Sequence, residues 1–312
     1  MIKQETVFVI GAGASKPYGY PTGDQLHDRI CQKFPSELQE IIAKESGPEQ
    51  RDLMDKARNL SNTFRNSHTK SIDLWLSNNH EYLDIGKLAI ANSIIRAENQ
   101  DMLFFDSRPQ EKEQDWFTFL FHEMITNETG QCPLHYFILN KVYFITFNYD
   151  RSLEELIYSS LINSFCTVSE SEIKKMLQSY PVFHVYGCID DFPWRQRKYK
   201  YAARCDKHFV DYASERIKII NEEREIANLS QIKLILDNAS RVFFLGFGYD
   251  SVNMQRLGLP ESIKNVGAIY GTGYGLTVHE KSKIVSTFQR VCNVPTTSIE
   301  DCNCKTLLRN FL

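Results

Sequence analysis

The sequence predicts an α/β protein built on a doubly wound parallel sheet, on three observations. Short β-rich runs recur along the chain and are almost continuously apolar, as suits strands covered on both faces. Each run ends in a glycine-containing or polar turn. Helical patterns separate the runs, and alternation of strand with helix is the signature of a parallel sheet. In order, Val7–Ile10 leads into GAGAS, Val142–Thr146 into FNYD, Val182–Val185 into YGC, Val242–Leu245 into GFGYD and Val266–Tyr270 into GTGYG. Between them, Ser152–Leu161, Ser169–Ser179 and Leu229–Leu236 carry apolar residues at helical spacing.

No comparable strand lies between Ile10 and Val142, whereas a crossover between parallel strands needs only a dozen or so residues. Glu49–Arg65, Tyr82–Glu98 and Gln114–Thr126 show helical periodicity instead. The chain therefore divides into a sheet domain, residues 1–24 and 139–312, and a large inserted helical subdomain, residues 25–138. No internal repeat, low-complexity tract or long heptad run interrupts this plan.

The bulk properties belong to an ordinary globular chain. Apolar residues make up 42% of the 312 and charged residues 24%. A net charge of −3 with a pI near 6.3 gives no global drive toward nucleic acid or anionic membrane. The N-terminal MIKQETVFVIGAG is a strand-length run, shorter than a signal peptide's apolar region. No run reaches the 18 or more apolar residues of a membrane span. A cytoplasmic protein is expected, so the eight cysteines (Cys31, Cys132, Cys166, Cys188, Cys205, Cys292, Cys302 and Cys304) are expected as thiols. Only Cys302 and Cys304 are close in sequence. Without a C-x-x-C pair, a four-cysteine zinc site is not expected, and no metal is assigned.

The first turn, Gly11-Ala12-Gly13-Ala14-Ser15, follows a strand directly. Gly11 permits a tight turn and Gly13 a close backbone approach to a pyrophosphate. The amides and dipole of the following helix would complement phosphate charge. A tight turn with no ligand accounts for the glycines equally simply. The strand-to-helix context favours a dinucleotide and a Rossmann-like sheet. Next comes Tyr18-Gly-Tyr-Pro-Thr-Gly-Asp24, where Thr22 or Asp24 can cap a helix and the loop can fold over a ligand. No acidic residue follows some twenty positions on at the end of a second strand, which speaks against a dehydrogenase.

Ligands of open α/β sheets bind beyond the carboxyl ends of the strands. Asn148 and Asp150 in Thr146-Phe-Asn-Tyr-Asp150, and His184 in Phe183-His-Val-Tyr-Gly187, fall there. Singly, Asn148 can cap a turn, Asp150 can cap the helix that follows, and His184 can be a satisfied core histidine. Jointly, three polar residues converge on one edge. Gly246 and Gly248 after the fourth strand offer a further close backbone approach, as do Gly271 and Gly273 after the fifth, where simple turn geometry is the plainer account.

Taken together these motifs resemble the sirtuin superfamily. GAGAS resembles the family's opening dinucleotide motif. TFNYD is similar to its Thr-Gln-Asn-Ile-Asp motif with Phe147 and Tyr149 substituted, His184 and Gly187 match its His-Gly motif, and GFG ending at Gly248 stands where its ribose-contacting loop would be. The zinc module of the deacetylases has no counterpart, and Gly19-Tyr-Pro-Thr-Gly23 replaces the Gly-Ile-Pro-Asp-Phe-Arg segment. Those departures resemble sirtuin-like domains of bacterial antiphage systems, as do Ser71-Ile-Asp-Leu-Trp-Leu76 and Asp84-Ile-Gly-Lys87. The resemblance implies an NAD+ hydrolase that depletes NAD in abortive infection. It also implies a homo-oligomer and a partner such as a HerA-type ATPase or an Argonaute-type sensor.

In that reading NAD is the substrate and no metal takes part. Gly11, Ala12, Gly13, Ser15, Thr22, Asp150, Gly246 and Gly248 would hold it. Asn148 would orient ribose hydroxyls or water, Asp150 would accept the nicotinamide carboxamide, and His184, with an ordinary pKa near 6.5, would be the general base. A non-catalytic NAD or ADP-ribose sensor and an NAD-dependent deacylase are the alternatives. The first needs neither Asn148 nor His184, and the second needs a peptide cleft. The basic, aromatic-interleaved Trp194–Arg204 reads as a gating or assembly loop, with single-stranded nucleic acid as its other reading.

Overall fold

The computed structural model describes residues 1–43, 47–106, 109–126, 134–219, 228–292 and 294–312. Cys132 and parts of the 25–138 stretch lie outside the described residues.

Six strands form one parallel sheet: β1 (Thr6–Ile10), β2 (Val142–Thr146), β3 (Val182–His184), β4 (Arg241–Leu245), β5 (Ala268–Thr272) and β6 (Thr296–Glu300). Their order is β3-β2-β1-β4-β5-β6, that of a doubly wound Rossmann-like sheet with its switch point beside β1. β1 is buried at every residue, which explains the unbroken TVFVI run. Its last residue, Ile10, is level with Thr146 of β2 and Leu245 of β4, so three strands end together.

A row of rings locks the register. Phe8 lies opposite Phe144 and Phe243, with ring centroids 5.5 and 5.3 Å away. Phe243 meets Tyr270 at 5.1 Å, and Tyr270 stacks on Phe311 at 4.5 Å. Cross-strand aromatic pairs of this kind are worth several tenths of a kcal/mol or more each, roughly 0.2–1.

Some strand boundaries differ from expectation: β1 and β4 each start one residue earlier, at Thr6 and Arg241, β3 ends one residue early, at His184, and β5 runs from Ala268 to Thr272 instead of Val266 to Tyr270. β6 had no sequence signal. It is an edge strand whose TTSIE is mostly half-exposed, so it lacks the apolar run that marks the central strands.

Among the described residues, every α-helix and strand element between β1 and β2 is helical: α1 (Ala12–Ser15), α2 (Gly23–Gln32), α3 (Phe34–Ile41), α4 (Pro48–Asn66), α5 (Ile72–Asn78), α6 (Leu83–Ile95), α7 (Gln100–Leu103), α8 (Trp116–Ile125) and α9 (His135–Ile138). α6 is buried nearly all round, from Ile85 to Ile95, as befits the axis of a helical layer. A Cβ on Gly86 would lie 2.5 Å from a Leu76 methyl, so a larger residue there would make that side chain shift. The insertion shares one continuous apolar core with the sheet.

The remaining helices are α10 (Ser152–Ser164), α11 (Glu170–Leu177), α12 (Lys207–Arg216), α13 (Leu229–Asp237), α14 (Ser251–Arg256), α15 (Val278–Val291) and α16 (Cys304–Phe311). No helix among the described residues is long and apolar enough to cross a membrane.

Candidate active site

Asn148, Asp150 and His184 do come together. β2 ends at Thr146, and its hydroxyl accepts the Asn148 N–H at 3.0 Å, turning the chain over the sheet edge. The Asn148 side-chain amide then donates to the Gly11 carbonyl at 3.1 Å and the Ser15 hydroxyl at 2.9 Å. Asp150 Oδ1 accepts from the Ser152 N–H at 3.0 Å and the Ser152 hydroxyl at 2.5 Å, and so opens α10. Burial pushes the Asp150 carboxyl up, and the hydrogen bonds from Ser152 work against that shift.

His184 closes the group from β3. Its Nδ1 lies 2.8 Å from the Asn148 carbonyl, which can only accept, so Nδ1 carries a proton. Its Nε2 lies 2.7 Å from Oε1 of Glu154. Burial works against a charged ring, but Cys188 and Glu154 beside it outweigh that and hold the imidazole well above its ordinary pKa. The Cys188 thiol donates to the Asp150 carbonyl at 3.7 Å. The expected histidine with a pKa near 6.5 is therefore corrected. Both ring nitrogens of His184 are engaged, Nδ1 by the Asn148 carbonyl and Nε2 by the Glu154 carboxyl, so the ring has no free lone pair to offer a substrate proton.

Glu154 is the residue that sequence reasoning missed. Its side chain is 1% exposed, and its second oxygen, Oε2, has no hydrogen-bond partner among the described residues. In the sequence it is one of two adjacent acids opening α10, and nothing there says which of them faces β3.

These groups enclose a chamber of about 10 Å³, walled by Ser15, Asn148, Asp150, Glu154 and His184 on the polar side and by Tyr18, Trp116 and Leu153 among the apolar residues. That is about the room one water needs. His184 also borders a cleft of about 380 Å³ running along β3 past Gly187, Phe192 and Arg195, a volume within the usual range for small-molecule sites.

The predicted phosphate cradle is different. Gly11, Ala12, Gly13, Thr22, Gly246 and Gly248 line neither of these two cavities. The close approach made possible by Gly11, Gly13 and Gly246 is to one another. Gly11 N–H donates to the Leu245 carbonyl at 2.9 Å and Gly13 N–H to the Gly246 carbonyl at 3.0 Å. A Cβ on Gly11 would fall 2.5 Å from the Gly246 carbonyl oxygen. α1 is a single turn followed by a 3-10 turn at Lys16–Tyr18, so it has little dipole to offer an anion. Gly248 has open space at its Cβ position. The Thr22 hydroxyl serves the capping box of α2 with Gln25.

The loop after the turn is not a free flap. Tyr18 and Tyr20 are buried. The Tyr18 hydroxyl donates to Asp115 at 3.0 Å, and the Tyr20 hydroxyl lies 2.8 Å from that of Tyr201. Trp116 reaches back from α8 and donates to the Ala14 carbonyl at 2.8 Å.

The basic segment after β3 is organised from inside. Trp194 and Tyr201 are core residues, so they offer no ring to a nucleic-acid base. Tyr199 stacks on Phe209 at 4.0 Å, and Arg197 pairs with Glu155 at 2.8 Å. Ser71-Ile-Asp-Leu-Trp-Leu76 has a structural role as well: Asp73 accepts a hydrogen bond from the hydroxyl of Tyr149, one of the two substituted residues of TFNYD. No family model matches this chain, and no curated protein matches it either.

Proposed function

We propose that this site hydrolyses NAD+ at the nicotinamide N-glycosidic bond, giving nicotinamide and ADP-ribose. One observation carries the reading: Asn148, Asp150 and His184, brought from two strand ends, face a single small chamber beside the switch point of the sheet. A hydrolytic site needs a positioned water and polar groups around a developing oxocarbenium ion, and nicotinamide leaves without a strong acid. Asn148 orients the ribose hydroxyls, and Asp150 accepts the carboxamide.

The chamber as it stands is water-sized, so the ribose must reach it by displacement of an apolar wall or from the cleft that His184 also borders. NAD binding or assembly with further copies or a partner protein supplies that displacement. NAD depletion in antiphage defence is the cellular role that the motif resemblance implies.

The test is chromatography of NAD incubated with the purified protein, alone and with the product of a neighbouring gene, beside N148A and H184A. Stoichiometric nicotinamide and ADP-ribose from the wild type, with both variants slowed by roughly 10²-fold or more, is the expected result. Binding of NAD with no nicotinamide under any condition would make the protein a sensor. Nicotinamide released only in step with deacylated peptide would make it a deacylase.

A further inference from the structure

The chamber contains one group for which the motifs give no role, Glu154. A buried carboxylate oxygen without a hydrogen bond costs several kcal/mol unless something at the site uses it. Oε1 is fixed by His184 Nε2 at 2.7 Å, whereas Oε2 has no partner among the described residues. The chamber it lines is about as large as one water.

We propose that Glu154 is a catalytic residue, whose Oε2 takes the proton of the attacking water while the His184 imidazolium holds Oε1. This rests on the reading of the site as NAD-cleaving. The other titratable groups around the chamber serve the assignment poorly as bases. From the β2 end, Asp150 already accepts two hydrogen bonds from Ser152. From beyond β3, the Cys188 sulfur lies 3.7 Å from the Asp150 carbonyl and does not line the chamber. From the segment after α1, the Tyr18 hydroxyl donates to Asp115. No lysine or arginine lines the chamber.

His184 cannot be the base in this arrangement. A neutral ring would keep its proton on Nδ1 for the Asn148 carbonyl and point the Nε2 lone pair at a carboxylate. Two acceptors would then face each other at hydrogen-bond distance. The proton on Nε2 removes that clash and also fixes the carboxylate.

The step balances as follows. The ribose C1′–N bond breaks and its electron pair passes to the nicotinamide ring, which leaves neutral. Water oxygen forms the new C1′–O bond, and the water proton goes to Glu154 Oε2 and then to solvent. The reaction is redox-neutral.

The experiment compares wild type with E154Q and E154D in the full chain, under the conditions in which the wild type cleaves NAD. It reads kcat and KM together with the titration of His184 by NMR of ¹⁵N-histidine-labelled protein. In E154Q, kcat should fall by roughly 10²–10⁴, the usual contribution of a general base, with KM nearly unchanged. The His184 pKa should drop toward the ordinary histidine value. E154D should recover part of both and covers the case in which E154Q does not fold. A wild type that cleaves NAD beside an E154Q or E154D variant of near-equal kcat overturns the assignment alone. A wild type that cleaves no NAD overturns the reading of the site as well. A wild-type His184 that titrates at its ordinary value overturns the ion pair whatever the activity.

Discussion

Arg151 and Glu98 meet as a bidentate pair with neither side chain exposed, Nε to Oε1 at 2.7 Å and Nη2 to Oε2 at 3.0 Å. Glu98 follows α6 of the insertion, and Arg151 sits between Asp150 and α10. The remaining guanidinium donors go to Asp190 at 3.0 Å and to the carbonyls of Tyr199 and Lys200 at 2.7 and 2.9 Å. All five donors are thus satisfied, and one side chain ties the insertion and the basic segment to the candidate active site.

Removing one member of such a cluster strands a buried charge. Arg151→Met and Glu98→Gln should each cost about 3–5 kcal/mol, and the double variant should cost less than the two added together. Urea unfolding of the four proteins measures the coupling. Additive losses under about 1 kcal/mol each would mean that the pair does not hold the subdomain in place.

Asn148 tethers the first turn to the second strand end through Gly11 and Ser15. Asn148→Ala should therefore lower NAD cleavage by roughly 10²–10³, the scale of losing one positioned polar group at a reacting centre. Ser15→Ala removes only one acceptor of that amide and should cost far less. Steady-state kinetics separates the two, and equal losses would place the important contact at Ser15.

Much of the fold was legible because β1, β2 and β4 are buried on both faces and carry unbroken apolar runs. β6 escaped because an edge strand has no such run. At the site, Asn148, Asp150 and His184 could be found because strand ends are predictable from the runs before them. Glu154 could not, since its role depends on the rotation of α10 against β3, which no short motif encodes. The glycines are ambiguous for a related reason. A backbone approaching another backbone and a backbone approaching a phosphate demand the same residue, and only coordinates reveal that Gly13 faces Gly246.

That packing gives opposite expectations for two glycines in one turn. Gly246 has φ +57°, and a Cβ there would lie 2.0 Å from the Ala14 nitrogen. Gly246→Ala should destabilise by more than the roughly 1 kcal/mol of an ordinary left-handed site, because both turns must move apart. Gly248→Ala meets open space and should leave the melting temperature unchanged. A loss of NAD cleavage in Gly248→Ala with intact stability would mark that position as a substrate contact, and thermal melts beside kinetics decide it.

Asp73 sets a pH dependence whose sign follows from its surroundings. Burial pushes its carboxyl up from 3.8 to about 6, and the hydrogen bond from Tyr149 offsets only part of that. A folded pKa above the unfolded one means that the folded state binds the proton more tightly. The stabilisation is fully present below the unfolded value and is lost as pH rises through about 6. Asp73→Asn keeps an oxygen for the Tyr149 hydroxyl and removes the charge. It should raise the melting temperature relative to wild type near pH 8 and lose that advantage near pH 4.5, where Asp73 is already largely protonated. A difference of the same size at both pH values would mean that Asp73 titrates normally and that its placement against Tyr149 costs nothing. Because Tyr149 adjoins Asn148, NAD cleavage by the same variant also reports whether the insertion steadies the strand end through this contact.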